Sequence, residues 1–276
     1  MDMATDENGA MTTYLEPDER LLAMAEKIRY KETPQEDMCL YLLRPEGVKA
    51  GALPAVVYFT GGGWENGSPA GMIANAAWFR DHGVIGISAD YRVKSRHGTT
   101  PIECIEDARS AIRYVRANAG ALGVDPARIV ACGGSAGGHI AAATVLDGHD
   151  DIGDDLAVSP RPAALLLHNP VLGAGFRMDF FNAHPECSPL NGVRKGWPPT
   201  IVSNGTEDNV TPYAVAERFV GAMKAVGNVC ELITIPGAGH SCDWPVSNPH
   251  FLPTMTRMAE FLWEQGVVPG SNPSEK

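Results

Sequence analysis

Residues Ala131-Cys132-Gly133-Gly134-Ser135-Ala136-Gly137-Gly138-His139 place a Gly-x-Ser-x-Gly motif between an apolar run at 128–132 and a run of small residues at 138–146. A short continuous apolar run reads as a buried strand, and the small-residue run after the turn reads as a helix. The serine therefore falls at a strand-to-helix turn, the context in which this motif forms a nucleophile elbow. Glycine neighbours leave room for a serine held in strained backbone geometry. Its hydroxyl then projects at a helix N-terminus, where the dipole favours negative charge. With 30 glycines in the chain, the triplet alone also fits a glycine-rich turn. A phosphate-binding loop does not fit, since no Gly-x-x-x-x-Gly-Lys-Ser/Thr occurs.

The same alternation extends outward. Apolar runs at 38–43, 55–59, 84–89, 129–132, 164–168, 200–203 and 230–235 predict strands. They are continuous rather than alternating, as in a parallel sheet covered on both faces. Ile102, Ile105, Ala108, Ile112 and Val115 recur at helical spacing with Glu103, Asp107, Arg109 and Arg113 on other faces. Stretches 213–226 and 251–265 read likewise, and 19–28 reads as a short amphipathic surface helix. Because parallel strands need crossovers, the pattern predicts an α/β fold with a doubly wound, mostly parallel sheet. No repeat or linker divides the chain, so one domain over 1–276 is expected, with 1–30 as an acidic segment partly covering the site. The aromatic-rich stretch 172–199 has no clear period, and a loop of that length is expected to pack over something functional.

A serine needs a base, and an acyl-transfer site needs donors for an oxyanion. His240 lies in Pro236-Gly237-Ala238-Gly239-His240, directly after the strand at 230–235. Loops at the carboxyl ends of parallel strands are where ligands bind, so His240 can share an edge with Ser135. Asp208, after the strand at 200–203, can accept the imidazole N–H and fix its tautomer. Glu207 and Asp243 read as cap or surface carboxylates, His139 as a packing or supporting residue, and His168 as a satisfied core imidazole. The order Ser135, Asp208, His240 differs from that of chymotrypsin and of subtilisin. Oxyanion donors are expected from Ala136 N–H and from the loop Thr60-Gly61-Gly62-Gly63-Trp64 after an early strand.

Composition bounds the remaining classes. The 276 residues are 44% hydrophobic and 20% charged, ordinary globular values that exclude disorder and fibre. About 73% of the extended chain's surface would be buried at this size, enough for a substantial core. Lys+Arg 22 against Asp+Glu 33 gives −11, which repels a phosphate backbone, so nucleic acid is not an expected partner. No apolar stretch approaches the roughly 20 residues of a membrane helix. The start, Met1-Asp2-Met3-Ala4-Thr5-Asp6-Glu7, is acidic where a secretory leader is basic and then apolar. Cytoplasmic placement is expected, or periplasmic or secreted placement if a leader has been removed. Six scattered cysteines suit buried thiols rather than a disulfide framework or zinc site, with Cys187–Cys242 as the one pairing left open. No pattern speaks to oligomeric state.

On these residues the chain resembles the α/β-hydrolase superfamily, and within it small carboxylesterases of the hormone-sensitive-lipase-like and bacterial acetyl/feruloyl esterase type. The resemblance runs over about 54–261, through Gly61-Gly62-Gly63-Trp64, Asp90-Tyr91-Arg92, the serine motif, Ser188-Pro189-Leu190, 205–212 and 237–240. It implies a fold without a large cap, Ser135 as nucleophile, His240 as base and Asp208 as acid. It also implies an oxyanion hole of Gly62, Gly63 and Ala136 N–H groups, with Trp64 able to replace a glycine. Trp64, Phe176 and Trp244 are candidate substrate contacts. No metal or cofactor is called for, and the expected partner is a small-molecule or carbohydrate ester with a short acyl group. Thr60 departs from the family, whose loop begins with a bracing His, so either a hydroxyl braces this loop or it is held otherwise. Two other readings are an amidase of the kynurenine-formamidase type and a hydrolase-fold binding protein without catalysis.

Overall fold

The computed structural model describes residues 13–47 and 52–268. In chain order its elements begin with α1 (Asp18–Met24), β1 (Glu26–Lys31), β2 (Met38–Leu43), β3 (Leu53–Phe59), α2 (Ile73–Asp81), β4 (Ile85–Ala89), α3 (Lys94–His97), α4 (Pro101–Ala117) and α5 (Ala119–Leu122). They continue with β5 (Val124–Gly134), α6 (Ala136–Ala143), β6 (Ala164–His168), α7 (Met178–Ala183), β7 (Thr200–Gly205), α8 (Tyr213–Ala225), β8 (Cys230–Ile235) and α9 (Phe251–Glu264). The eight strands form one sheet in the order β1-β2-β4-β3-β5-β6-β7-β8. β2 is antiparallel to β1 and β4, and the pairings from β4 through β8 are parallel.

Successive side chains of a strand point to opposite faces, and here both faces are covered. Val56, Tyr58, Val130, Cys132, Leu166 and Ile201 pack toward Phe79 of α2 and Phe251, Met255 and Phe261 of α9. Val57, Phe59, Ala131, Leu165, Leu167 and Val202 pack toward Ile105 and Ile112 of α4, Ile140 of α6 and Phe219 of α8. Continuous apolar strands follow from this two-sided burial. Local signals place helix ends: Thr100 caps α4, Pro101 opens it, and Glu103 Oε2 accepts the Thr100 N–H at 2.8 Å, completing a capping box.

The helix expected over 19–28 is corrected. It stops at Met24, and β1 begins at Glu26. Glu26-Lys27-Ile28-Arg29-Tyr30-Lys31 alternates charged with apolar residues, a period of two that suits an edge strand with one solvated face. The serine helix begins at Ala136 and ends at Ala143, earlier than 138–146 suggests, and α2 went unread among small and aromatic residues. Within 172–199 lie α7 and a single 3-10 turn at Pro185–Cys187. No helix among the described residues is long and apolar enough to cross a membrane.

Candidate active site

The carboxyl ends of β5, β7 and β8 carry the three residues that matter most. β5 ends at Gly134, and Ser135 turns the chain into α6 with φ 52° and ψ −118°, a conformation ordinary residues avoid. A Cβ on Gly137 would stand 2.0 Å from the Phe59 carbonyl oxygen, so only glycine lets α6 approach β3 this closely. Ser135 N–H donates to the His168 carbonyl at 2.9 Å, and its own carbonyl accepts from Val171 N–H and His139 N–H at 3.0 Å each.

His240 follows β8. Its Nε2 is 3.0 Å from Ser135 Oγ and its Nδ1 is 2.8 Å from Asp208 Oδ2. A carboxylate at Nδ1 holds the proton on that nitrogen and leaves the Nε2 lone pair for the serine hydroxyl. Asp208 Oδ1 accepts the N–H groups of Val210 and Thr211 at 2.8 Å each, and Oδ2 accepts the Thr211 hydroxyl at 2.8 Å. Burial raises the Asp208 carboxyl, but the bonds from His240, Thr211 and Val210 outweigh it, leaving the group below its ordinary range. The carboxylate is thus ionised and fixed, and the His240 side chain keeps 18% exposure toward solvent.

The glycine loop runs alongside. Gly62 and Gly63 have φ 140° and 64°, and among the described residues no protein carbonyl takes up either N–H. Ala136 N–H, first in α6, has no partner within its own helix. Thr60 does not brace the loop through its side chain: its hydroxyl is buried with no hydrogen-bond partner among the described residues. The loop is held otherwise. Tyr91 O–H donates to the Thr60 carbonyl at 2.5 Å, and the N–H groups of Lys94 and Ser95 donate to the Trp64 and Glu65 carbonyls at 2.9 Å each. Asp90, ahead of Tyr91, is itself tied to Arg96 at 2.6 Å.

Aromatic rings stand on either side of Ser135. The Trp244 indole lies so close over Gly134 that a Cβ there would meet it at 2.0 Å, and its ring is 5.9 Å from that of His240, edge to face. Phe176 reaches over Gly63 and packs against Trp64 with centroids 5.8 Å apart. Trp64 itself is 3% exposed among His139, Phe180 and Phe181, so its ring supports Phe176 from beneath. His139 donates from Nε2 to the Cys187 carbonyl at 2.9 Å, and burial lowers its pKa to about 4. Two surface hollows, of about 410 and 350 Å³, are lined by none of Ser135, Asp208 and His240. All six cysteines are buried free thiols, Cys187 and Cys242 included.

One cluster escaped sequence reasoning. Asp243 is neither a cap nor a surface carboxylate: it is fully buried, 3.0 Å from His168 Nδ1, and accepts hydrogen bonds from Ser203 Oγ and Asn169 Nδ2. Burial pushes its carboxyl up, and His168 with the bonds from Ser203 and Asn169 more than reverses this. His168 is buried as expected but only half satisfied: its Nδ1 meets Asp243, and its Nε2 is unpartnered among the described residues. The available signal was a pair of polar residues, His168-Asn169, ending an otherwise apolar strand.

Comparison with known proteins agrees with this architecture. The BD-FAE family matches residues 40–164 and the prolyl oligopeptidase family matches 167–265. The apo structure of Thermogutta terrifontis esterase 2 superposes with TM-score 0.85 at 38% sequence identity, covering 91% of this chain and 98% of that one. The chain belongs to the α/β-hydrolase esterases. Within this group of serine hydrolases it is of the hormone-sensitive-lipase-like type. The same Thermogutta esterase has been solved phosphorylated by paraoxon, at 38% identity, TM-score 0.84, and coverage of 91% and 97%. Esterase LipC of Mycobacterium tuberculosis is 28% identical over 79% of this chain and 59% of its own length. A probable isoprenylcysteine alpha-carbonyl methylesterase of Oryza sativa is 32% identical over 77% of this chain and 56% of its own length. This α/β-hydrolase thus spans less than three fifths of those two curated relatives.

Proposed function

We propose that the protein is a serine carboxylesterase that hydrolyses short-chain, acetyl-like esters of carbohydrate or aromatic alcohols through an acyl-enzyme. Ser135 Oγ attacks the ester carbonyl carbon while its proton passes to His240 Nε2, and Asp208 stabilises the imidazolium. The negative oxygen of the tetrahedral intermediate rests on the N–H groups of Gly62, Gly63 and Ala136. His240 then protonates the leaving alcohol oxygen as the carbon–oxygen bond breaks. A water attacks the acyl-enzyme with His240 again taking the proton, which returns to Ser135 as the acid departs. The observation that carries this reading is the continuous relay of 3.0 and 2.8 Å from Ser135 through His240 to Asp208 beside a glycine loop.

Trp244 over Gly134 and Phe176 over Gly63 wall the reacting carbonyl closely, which supports a short acyl group. The described N-terminal residues from Thr13 pack on α2 and α9, and Phe176 within 172–199 is the side chain that reaches the glycine loop; a bulky alcohol would extend outward past it. Thermogutta esterase 2 has been solved with propionate and with butyrate bound, in keeping with this acyl range. The test is turnover of 4-nitrophenyl acetate, butyrate and octanoate, feruloyl esters, acetyl-xylan and N-formylkynurenine by the wild type and Ser135→Ala. Acetyl turnover should exceed octanoyl turnover, and Ser135→Ala should lower it by about 10⁴- to 10⁶-fold. Retention of most activity in Ser135→Ala refutes the nucleophile, and preference for N-formylkynurenine makes the enzyme an amidase.

A further inference from the structure

At the end of β6, one residue is tied through its side chain to the segment that carries His240 and through its backbone to the segment that carries Asp208. Asn169 is fully buried with φ 33°, a region where asparagine is among the few tolerated side-chain residues. Its Oδ1 accepts the N–H of Ser241, the residue after His240, at 3.0 Å. Its Nδ2 donates to Asp243 Oδ1 at 3.0 Å. Its backbone N–H donates to the Ser203 carbonyl at 2.8 Å, and its carbonyl lies 3.1 Å from Thr211 Oγ1, the hydroxyl that also contacts Asp208. Its neighbours complete the clasp, with the His168 carbonyl on Ser135 N–H and Val171 N–H on the Ser135 carbonyl.

We infer that Asn169, backed by the buried Asp243, is a positioning residue that sets the His240 imidazole relative to Ser135. The inference rests on the esterase reading above. The chain entering His240 is Gly237-Ala238-Gly239, which carries high conformational entropy. Hydrogen bonds from Gly237 N–H to Thr206 Oγ1 and from Glu207 N–H to the Ala238 carbonyl hold the start of that loop. The bond from Ser241 N–H to Asn169 holds its far side. Asp243 in turn fixes the amide so that its oxygen faces Ser241, and Ser203 and the His168 imidazole fix Asp243. An error of about 1 Å in a reacting group can cost about 100-fold in rate, so a loop that has lost the bond next to His240, and is held on that side only further on at Asp243, is a slower catalyst that still binds substrate.

The test exploits the symmetry of the amide–carboxylate pair. Asn169→Gly keeps the positive φ and removes only the amide. It should lower kcat for 4-nitrophenyl acetate 10- to 100-fold, leave KM within about twofold and slow covalent labelling by paraoxon in proportion. Asn169→Asp should be similarly impaired, because two carboxylates then face each other. In Asn169→Asp combined with Asp243→Asn, all four hydrogen bonds re-form with the polarity of one reversed: Asp at 169 accepts from Ser241 and from the new amide, whose oxygen accepts from Ser203 and His168. This swap should return kcat to within about threefold of wild type. Unchanged kcat in Asn169→Gly, or a folded double variant no better than Asn169→Asp, overturns the inference. Should Asn169→Gly not fold, the swap alone decides. A wild type that neither turns over esters nor reacts with paraoxon fails the esterase reading instead, and this inference with it.

Discussion

Two histidine–aspartate pairs lie within one sheet edge of each other, and they do different work. His240 and Asp208 are 2.8 Å apart, with the imidazole partly open and its second nitrogen facing Ser135. His168 and Asp243 are 3.0 Å apart and wholly enclosed, and the second nitrogen of His168 faces no protein acceptor among the described residues. Both carboxyls sit below their ordinary range despite burial, because each collects several hydrogen bonds. Chemistry therefore does not follow from the pair itself. It follows from a nucleophile and a path for substrate at the outer nitrogen.

The largest effect should separate the pairs outright. Asp208→Asn leaves the hydrogen-bond count near its native value but favours the wrong His240 tautomer. We expect kcat to fall about 10³- to 10⁴-fold in a protein that is still folded. Asp243→Asn should cost no more than about 100-fold, since it disturbs placement alone. Steady-state kinetics on both variants decide this, and equal losses would erase the distinction.

How far these pairs were legible in the chain is instructive. Ser135, Asp208 and His240 each follow an apolar run, and the turn chemistry around them is local, so spacing and strand order suffice to nominate them. His168 and Asp243 are 75 positions apart and meet only because β6, β7 and the loop after β8 end side by side. No local pattern marks such a meeting, and an aspartate beside Trp244 in a loop looks solvated. The parallel core was readable for the same reason that Ser135 was, since strands buried on both faces announce themselves as apolar runs. β1 was not, because its alternation of Lys27, Arg29 and Lys31 with Ile28 and Tyr30 merges with the helical pattern of α1 just before it.

Stability should rank the pairs in the opposite order. Removing one partner of a buried pair costs about 3–5 kcal/mol, so Asp243→Asn should lower the urea midpoint at pH 7 more than Asp208→Asn does. A carboxyl with a depressed folded pKa stabilises the native state above its unfolded value, near 3.8, and loses that contribution as pH falls through the folded value. The gap between wild type and Asp243→Asn should therefore narrow below about pH 4. A gap independent of pH would mean that the carboxylate charge contributes nothing.

A third imidazole, without a carboxylate, sharpens the contrast. His139 is fully buried, and desolvation lowers its pKa from 6.5 to about 4. Between those values the unfolded chain binds the proton and the native one resists it, so stability declines as pH falls from about 6.5 toward 4. At 1.36 kcal/mol per unit this amounts to at most about 3 kcal/mol. His139→Phe should flatten that part of the profile, measured as urea midpoints at pH 7, 5.5 and 4.5. An unchanged slope would show that His139 is not the group responsible.

The smallest effect concerns the other half of the site, where neutral groups do the holding. The imidazole side is fixed by two carboxylates, whereas residues 60–64 are held by Tyr91 O–H on the Thr60 carbonyl, by the N–H groups of Glu65 and Asn66 on the Gly62 carbonyl and by Lys94 N–H on the Trp64 carbonyl. The Glu65 ion pairs to Arg177 and Lys94 lie just beyond. A neutral hydrogen bond contributes about 0.5–1.5 kcal/mol net. Tyr91→Phe should therefore lower kcat about 2- to 10-fold with KM nearly unchanged, through looser placement of Gly62 and Gly63. Thr60→His places at the loop's first position the side chain that commonly braces it, so in a Tyr91→Phe background it should recover part of the loss. No loss in Tyr91→Phe would mean that the backbone N–H groups of Glu65, Asn66, Lys94 and Ser95 suffice to hold the loop, and the neutral half of the site would then be the more redundant of the two.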